Sequence, residues 1–518
     1  PRPTAMAELA NLLLLALCWA CTLSASTLLT SVGPFAAEEA GASTALAPLA
    51  IACFLFGSAL TSIPSAWVFK KCGRRGGFLV GCALMVVSGA TGAVGLELET
   101  LELVYASTFL AGLAQGFGQF YRFAAMEVCS PARKPFAVTL VLSGGVLAAF
   151  AGPQLAIRTR HLLSDSFSSE YTGSFIMVGV IGIVNAVVTA LVRYAPPGAG
   201  STRATPLLRT RDEELAQELP PEVPLHRLML QPRCMVAVAV ATVAHTSMVM
   251  LMSPLTVAMK ARGIADEMTT LALELHFFAM FAPGFLTGKV IAKVGPIVTS
   301  LIGVVLFGGA AATLATGEAF VNFVVGMALC GVSWNLCFSS GTLMLSSCYT
   351  ATDAPRVQGA NDFIIFFVAG SGSFASGYVY SYWGWTTLIC FSSGLVGALL
   401  VLLLAFIALT RAANRDAASH ATGDDSAKGE GGSSSLRPSQ IIPAVPSVAS
   451  VASSVASETS ELSMRASIAG EAIYRPYPTD DEASARDAWS TSSLPRLSGR
   501  VTPSVHASGA MPNVAGDV

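Results

Sequence analysis

The chain has 518 residues, of which 53% are hydrophobic and 12% charged. Soluble domains carry about 25% charged residues and seldom exceed ~250 residues around one core, so an ordinary soluble protein is excluded. A net charge of −2 gives no basic field for nucleic acid, and no nucleic-acid partner is expected.

Upstream of about Arg411, apolar segments alternate with short polar stops, and a spanning helix needs roughly 20 such residues. The pattern predicts an all-α polytopic membrane protein embedded in a lipid bilayer. Its twelve spans fall near 8–32, 45–69, 76–96, 103–127, 136–157, 171–193, 234–258, 268–291, 296–316, 319–347, 358–380 and 386–410. The first run could imitate a signal peptide, but eleven more follow, so it is read as a retained helix. The sequence opens on Pro1, consistent with numbering that begins inside a longer reading frame.

A charged, proline-rich segment separates spans six and seven. The expected organisation is therefore a six-helix bundle over 1–195, a central loop over 196–232, a second six-helix bundle over 233–411 and a tail over 412–518. Lys70, Lys71, Arg74, Arg75, Arg133, Lys134, Lys289, Lys293 and Arg356 fall on one side, with the arginines of the central loop. The other side receives Arg158, Arg160, Lys260 and Arg262. By the positive-inside rule both termini and the central loop face the cytoplasm, in the plasma membrane or an internal one. The tail is rich in Ser, Ala, Pro and Thr, buries too little to offset chain entropy and is expected to be disordered. Its serines near arginines over 494–504 are either phosphorylation sites or plain solvated residues.

The eleven cysteines lie mostly in apolar runs, where a thiol packs as a small hydrophobe; this includes the pair Cys18 and Cys21. No Asn-x-Ser/Thr acceptor occurs. Gly-Lys-Ser/Thr phosphate loops, His-Glu-x-x-His and a nucleophile elbow are also missing from the sequence. No enzyme activity, cofactor or metal is expected.

Polar residues inside the apolar runs are the candidates for function. In "LAQGFGQFYRFAAMEV" (113–128), Gln115, Gln119 and Arg122 stand at i, i+4 and i+7, one stripe of a continuous helix. Arg122 either snorkels to headgroups or faces a polar cavity, where it attracts an anionic group or a carboxylate. Asp362, beside Asn361, either caps its helix or serves as partner of Arg122 or proton site. Glu274 and His276 are candidate proton-coupling groups, two apart and so pointing to different faces. His245 is the weaker candidate of this kind, read first as a packing residue. Trp334 and Asn335 either pack or stack on and hydrogen-bond a planar substrate.

Two loops repeat. Lys71-Cys72-Gly73 after span two matches Lys293-Val294-Gly295 after span eight, and Cys129 after span four matches Cys348 after span ten. The offsets, 295 − 73 = 222 and 348 − 129 = 219, argue for duplicated halves. Parallel repeats of this kind place a site at their interface near the midplane.

With that duplication, residues 8–410 resemble the major facilitator superfamily. Its span two–three signature is Gly-x-x-x-Asp-Arg/Lys-x-Gly-Arg-Arg/Lys; here Ala66-x-x-x-Lys70-Lys71-x-Gly73-Arg74-Arg75 keeps the basic end and lacks the glycine and aspartate. The second copy, Gly288-x-x-x-Ala292-Lys293-x-Gly295, also lacks the acid, which puts the family's outward-state latch in doubt. Gly152-Pro153 resembles the family's antiporter element in span five, and Gln115-Gly116-x-Gly118 its span-four motif, with Gly112 in the arginine's place. "YRFAA" and "HFFAMFAPGFLTG" are similar to a mainly bacterial branch near riboflavin importers.

The resemblance implies two pseudo-symmetric six-helix bundles and a secondary active transporter of a small organic solute, working by alternating access. Proton co- or counter-transport and a functional monomer are expected. Gln115, Gln119, Arg122, Trp334 and Asn335 are the substrate-binding candidates. Glu274, His276 and Asp362 are the proton-coupling candidates. Gly73, Arg74, Arg75, Gly152, Pro153, Gly288, Lys293 and Gly295 are the conformational ones. The alternative is a transporter-like sensor or scaffold that signals through the tail.

Overall fold

The structure, a computed structural model, describes residues 5–129, 134–162, 167–194, 224–350 and 353–425, and all of it is helix and short turns. Seven helices precede the central loop: α1 (Ala5–Glu39), α2 (Leu49–Ser62), α3 (Pro64–Glu97), α4 (Leu101–Gly118), α5 (Tyr121–Glu127), α6 (Lys134–Leu162) and α7 (Thr172–Leu191). Eight follow: α8 (Leu225–Met229), α9 (Pro232–Met252), α10 (Leu255–Ala261), α11 (Asp266–Phe281), α12 (Gly284–Val294), α13 (Pro296–Ala315), α14 (Phe320–Ser346) and α15 (Ala354–Asp425). Among the described residues, nine helices are long and apolar enough to cross a membrane.

Three of the expected spans are broken by proline. Pro64 separates α2 from α3, Pro254 separates α9 from α10, and Pro283 precedes α12. A proline has no N–H for the helix ladder, and its ring clashes with the preceding turn. Pro34 and Pro153, in contrast, lie inside α1 and α6. The expected single helix over 103–127 is also divided, at Gln119 and Phe120, just after two glycines that weaken helix propensity. The last helix runs on to Asp425, past the expected tail boundary, through an alanine-rich stretch that favours helix. Residues 195–223 of the central loop and 426–518 of the tail lie outside the described residues, and the expectations of a loop and of disorder rest there.

Gly73 bends α3 sharply (φ 71°, ψ 173°), and Gly295 makes the equivalent corner between α12 and α13 (φ 82°, ψ 160°). The two glycines matched by sequence offset thus share one backbone conformation, open essentially to glycine alone. A third corner, Gly384, divides α15. Gly73→Ala and Gly295→Ala are each expected to cost about 1–3 kcal/mol, read as a lower Tm in detergent. An unchanged Tm in both would mean that the corners accept a side chain.

Most packing runs within two sets of helices. In the first, α1 lies on α6 and α7, α3 on α4 and α7, and α2 on α4; in the second, α9 lies on α14 and α15, α13 on α14, and α11 on α14. Two long seams join the sets: α2 against α15 and α6 against α11. Both are antiparallel and keep one register. Along the second, Gly145 meets the Phe281 ring, Phe150 the Phe278 ring (5.6 Å), Gln154 meets Glu274 and Arg160 meets Asp266. Along the first, the Ser373 hydroxyl donates to the Pro48 carbonyl (3.2 Å), Gly370 lies on the Phe56 ring, and Gly359 faces the Ser62 carbonyl. Small residues let such helices approach, and dispersion between close surfaces holds them where lipid offers no hydrophobic drive.

Candidate functional site

Several polar side chains inside the bundle stand where the two sets meet. Gln115, on α4, is buried, and its carbonyl oxygen accepts the Ser26 hydroxyl of α1 at 2.9 Å. Gln119 is half-buried in the turn between α4 and α5, so the 115/119/122 stripe is not one continuous helical face. Arg122 lies in the first turn of α5 and reaches across to α15. Its Nη2 stands 3.6 Å from Asp362 Oδ2, with about a fifth of each side chain exposed. The guanidinium lies over the Phe123 ring at 4.9 Å, and among the described residues its buried Nε has no hydrogen-bond partner. Asn361 Nδ2 donates to the other Asp362 oxygen at 3.1 Å. An apolar setting favours such a pair over either isolated charge. A guanidinium with donors to spare is also equipped to bind an anionic or carbonyl oxygen of a solute.

On the facing set, the Trp334 indole N–H donates to His245 Nδ1 at 2.9 Å, which places the proton of a neutral His245 on Nε2. Phe338 stacks on Trp334 with ring centroids 4.8 Å apart, and Phe366 meets the imidazole edge-on. Phe281 touches Trp334 at 6.2 Å and packs against helices of the first set. These half-buried rings offer a planar solute faces to stack on. Asn335 turns away from them, accepting the Thr287 hydroxyl (2.5 Å) and donating to the Met280 carbonyl (2.7 Å), so its amide serves the joint between α11, α12 and α14.

The structure separates Glu274 from His276. Glu274 is buried in the α6–α11 seam and accepts from Gln154 Nε2 at 2.5 Å. His276 points into the second set, fully buried, with Nδ1 2.7 Å from the Met327 carbonyl. Their two-residue spacing dictated opposite faces, and only Glu274 borders the first set.

At the end of the bundle that carries the Gly73 corner, Arg74 holds Glu127 at the end of α5 through Nε (2.9 and 3.2 Å) and Nη2. Arg75 donates to the Val192 carbonyl at 2.8 Å. Lys293 and Gly295 occupy the matching corner, and Gly288 lies in α12 with open space around it. At the opposite end, Arg160 pairs with both Asp266 and Glu170, and Lys260 lies 5.0 Å over the Phe35 ring. There too Arg262 holds the exposed Glu318 carboxylate below the usual range. Gly152 and Pro153 sit where α6 presses on α1. The seam partners Gln154, Arg160 and Asp266, and Ser26 beside Gln115, were not singled out in the sequence. Each matters through a neighbour 89 to 120 positions away, and single-chain spacing carries no signal for that.

The Major Facilitator Superfamily profile matches residues 14–259. The riboflavin transporter RfnT of Brucella anthropi is 28% identical over 394 residues, which cover 76% of this chain and 95% of that protein. Two uncharacterised transporters of the same type from Bacillus subtilis, YddS and YdeG, are 24% and 25% identical, each over 72% of this chain and over 84% and 85% of their own lengths. Among solved structures, a D-xylose-proton symporter superposes with a TM-score of 0.54 at 13% identity, covering 76% of this chain and 96% of the symporter, which is a likeness of fold. Together the profile and these relatives support a transporter of the major facilitator superfamily, to which the chain is similar over about three quarters of its length.

Proposed function

We propose that the protein is a secondary active transporter of a small organic solute, driven by a proton gradient and working by alternating access. In this reading twelve crossings form two pseudo-symmetric six-helix bundles, 1–195 and 233–411, joined by a cytoplasmic loop over 196–232. Both termini are cytoplasmic, the tail extends from 412, and one chain suffices. The observation that carries the proposal is the Arg122–Asp362 pair, two opposite charges on different helix sets inside a predominantly apolar bundle. Groups so expensive to keep in a membrane are retained for work. Arg122, Gln115 and Gln119 would contact the solute from one side and Trp334 from the other, with Asn335 holding the helix behind Trp334. Glu274 and Asp362 would carry the coupled proton, with His276 a third candidate.

The solute class we favour is a planar heteroaromatic of the flavin kind. Support comes from the 28% identity to a riboflavin transporter over almost its entire length and from the rings around His245. Uptake of labelled riboflavin, sugars and amino acids into proteoliposomes tests this, with flavin uptake expected and saturable. Acidifying the outside should accelerate uptake in wild type, and Glu274→Gln should flatten that pH dependence. The coupling assignment fails if Glu274→Gln, His276→Ala and Asp362→Asn all leave the pH dependence intact.

A further inference from the structure

A cavity of about 1080 Å³ opens at the Gly73 end of the bundle, between the start of α3, the end of α5 and the first turn of α15. Its wall is cationic. Among the described residues Lys70, Arg74 and Arg75 line it against a single carboxylate, Glu127, so three positive charges against one negative leave an excess of two. Glu127 is already held by Arg74, which leaves Lys70 and Arg75 to set the local field. The rim has the opposite character. Ile63 and Trp67 line the same cavity and are 59% and 63% exposed on the outer surface of a membrane-spanning chain. Lys71 lies 5.1 Å over the Trp67 ring, a tryptophan–lysine pairing suited to headgroup depth. A soluble anion would use the wall alone; a cationic wall behind an apolar lip fits a molecule with both characters.

We propose that this cavity binds the headgroup of an anionic phospholipid, its phosphate oxygens accepting from Lys70 and Arg75 and its acyl chains lying against Ile63 and Trp67. Occupancy would tie the broken start of α3 to the leaflet. The proposal concerns binding and stands whether or not the chain moves a solute.

Cys72 lines the cavity and is exposed, so its alkylation reports occupancy. The full chain is placed in nanodiscs of phosphatidylcholine with and without phosphatidylglycerol, exposed to a water-soluble maleimide, and Cys72 modification is followed by peptide mass spectrometry. Phosphatidylglycerol is expected to slow the reaction several-fold. Lys70→Ala should weaken the lipid about five-fold, the factor that matches about 1 kcal/mol per basic residue at a membrane surface. Lys70→Glu should remove the protection, in a membrane whose surface potential is the same for both proteins. Native mass spectrometry should find a retained phosphatidylglycerol on wild type and none on Lys70→Glu; Lys70 is exposed, and an unchanged melt confirms that the variant folds. Equal alkylation in the two membranes overturns the proposal, and so does protection that survives Lys70→Glu. Equal protection by inorganic phosphate in pure phosphatidylcholine assigns a soluble anion and overturns it as well.

Discussion

Arg122→Gln is expected to lower both uptake and Tm, and adding Asp362→Asn should restore Tm while uptake stays lost. The single change strands Asp362 at the meeting of the two helix sets, with Asn361 as its remaining donor among the described residues. Breaking a fully buried pair from one side costs about 3–5 kcal/mol, and a fifth of each side chain is exposed, so a loss nearer 1–3 kcal/mol is expected. The double variant removes both charges and leaves two amides able to meet, which cures that cost. It does not replace a charged contact to solute, worth about 1.5–3 kcal/mol, or ten- to a hundred-fold in uptake. Thermal melts and initial uptake rates on wild type, the two single variants Arg122→Gln and Asp362→Asn, and the double variant separate the roles. Uptake that returns together with Tm would reduce the pair to a strut.

Two glycines assigned the same mechanical role should respond in opposite ways. Gly152→Val places a branched side chain where even a Cβ would lie 2.6 Å from the Ser24 carbonyl and 2.9 Å from the Leu28 nitrogen. Backbone atoms cannot swing aside, so α6 must back away from α1 and the Thr27 bond to the Ala148 carbonyl (3.1 Å) is lost. A cost of about 3 kcal/mol is expected, at the upper end for overpacking, with a steep fall in the yield of folded protein. Gly288, in α12, has no atom within 4 Å of where its Cβ would stand. Gly288→Ala should gain about 0.5–1 kcal/mol by restricting the unfolded chain and favouring helix. Equal effects from the two substitutions would contradict the close α1–α6 approach.

What the sequence made legible was whatever local rules control. Apolar runs marked the helices, and the lysine-spacer-glycine repeats marked the Gly73 and Gly295 corners, because only glycine enters that backbone region cheaply. Asp362 was among the possible partners considered for Arg122, and the structure sets the two 3.6 Å apart. The rest is non-local. Nothing near Glu274 in the chain announces Gln154, and nothing near Asn335 reveals that its amide is spent on Thr287 and Met280. The proline breaks at Pro64, Pro254 and Pro283 were readable in principle, yet long apolar runs on both sides hid them. The division at Gln119 shows the limit of wheel arguments, which presume one unbroken helix.

The constant register of the two seams limits how the molecule can change shape. Sliding either helix pair by one turn, about 5.4 Å, would carry the Phe281 ring off Gly145 and the Phe56 ring off Gly370 onto bulkier neighbours. In the alternating-access cycle proposed above, that register would oppose translation along the seams and favour tilt about them. A lever with fixed fulcra trades closure at one mouth for opening at the other, so in that proposed cycle tightening Arg160 on Asp266 and parting Arg122 from Asp362 would be one displacement seen from its two ends.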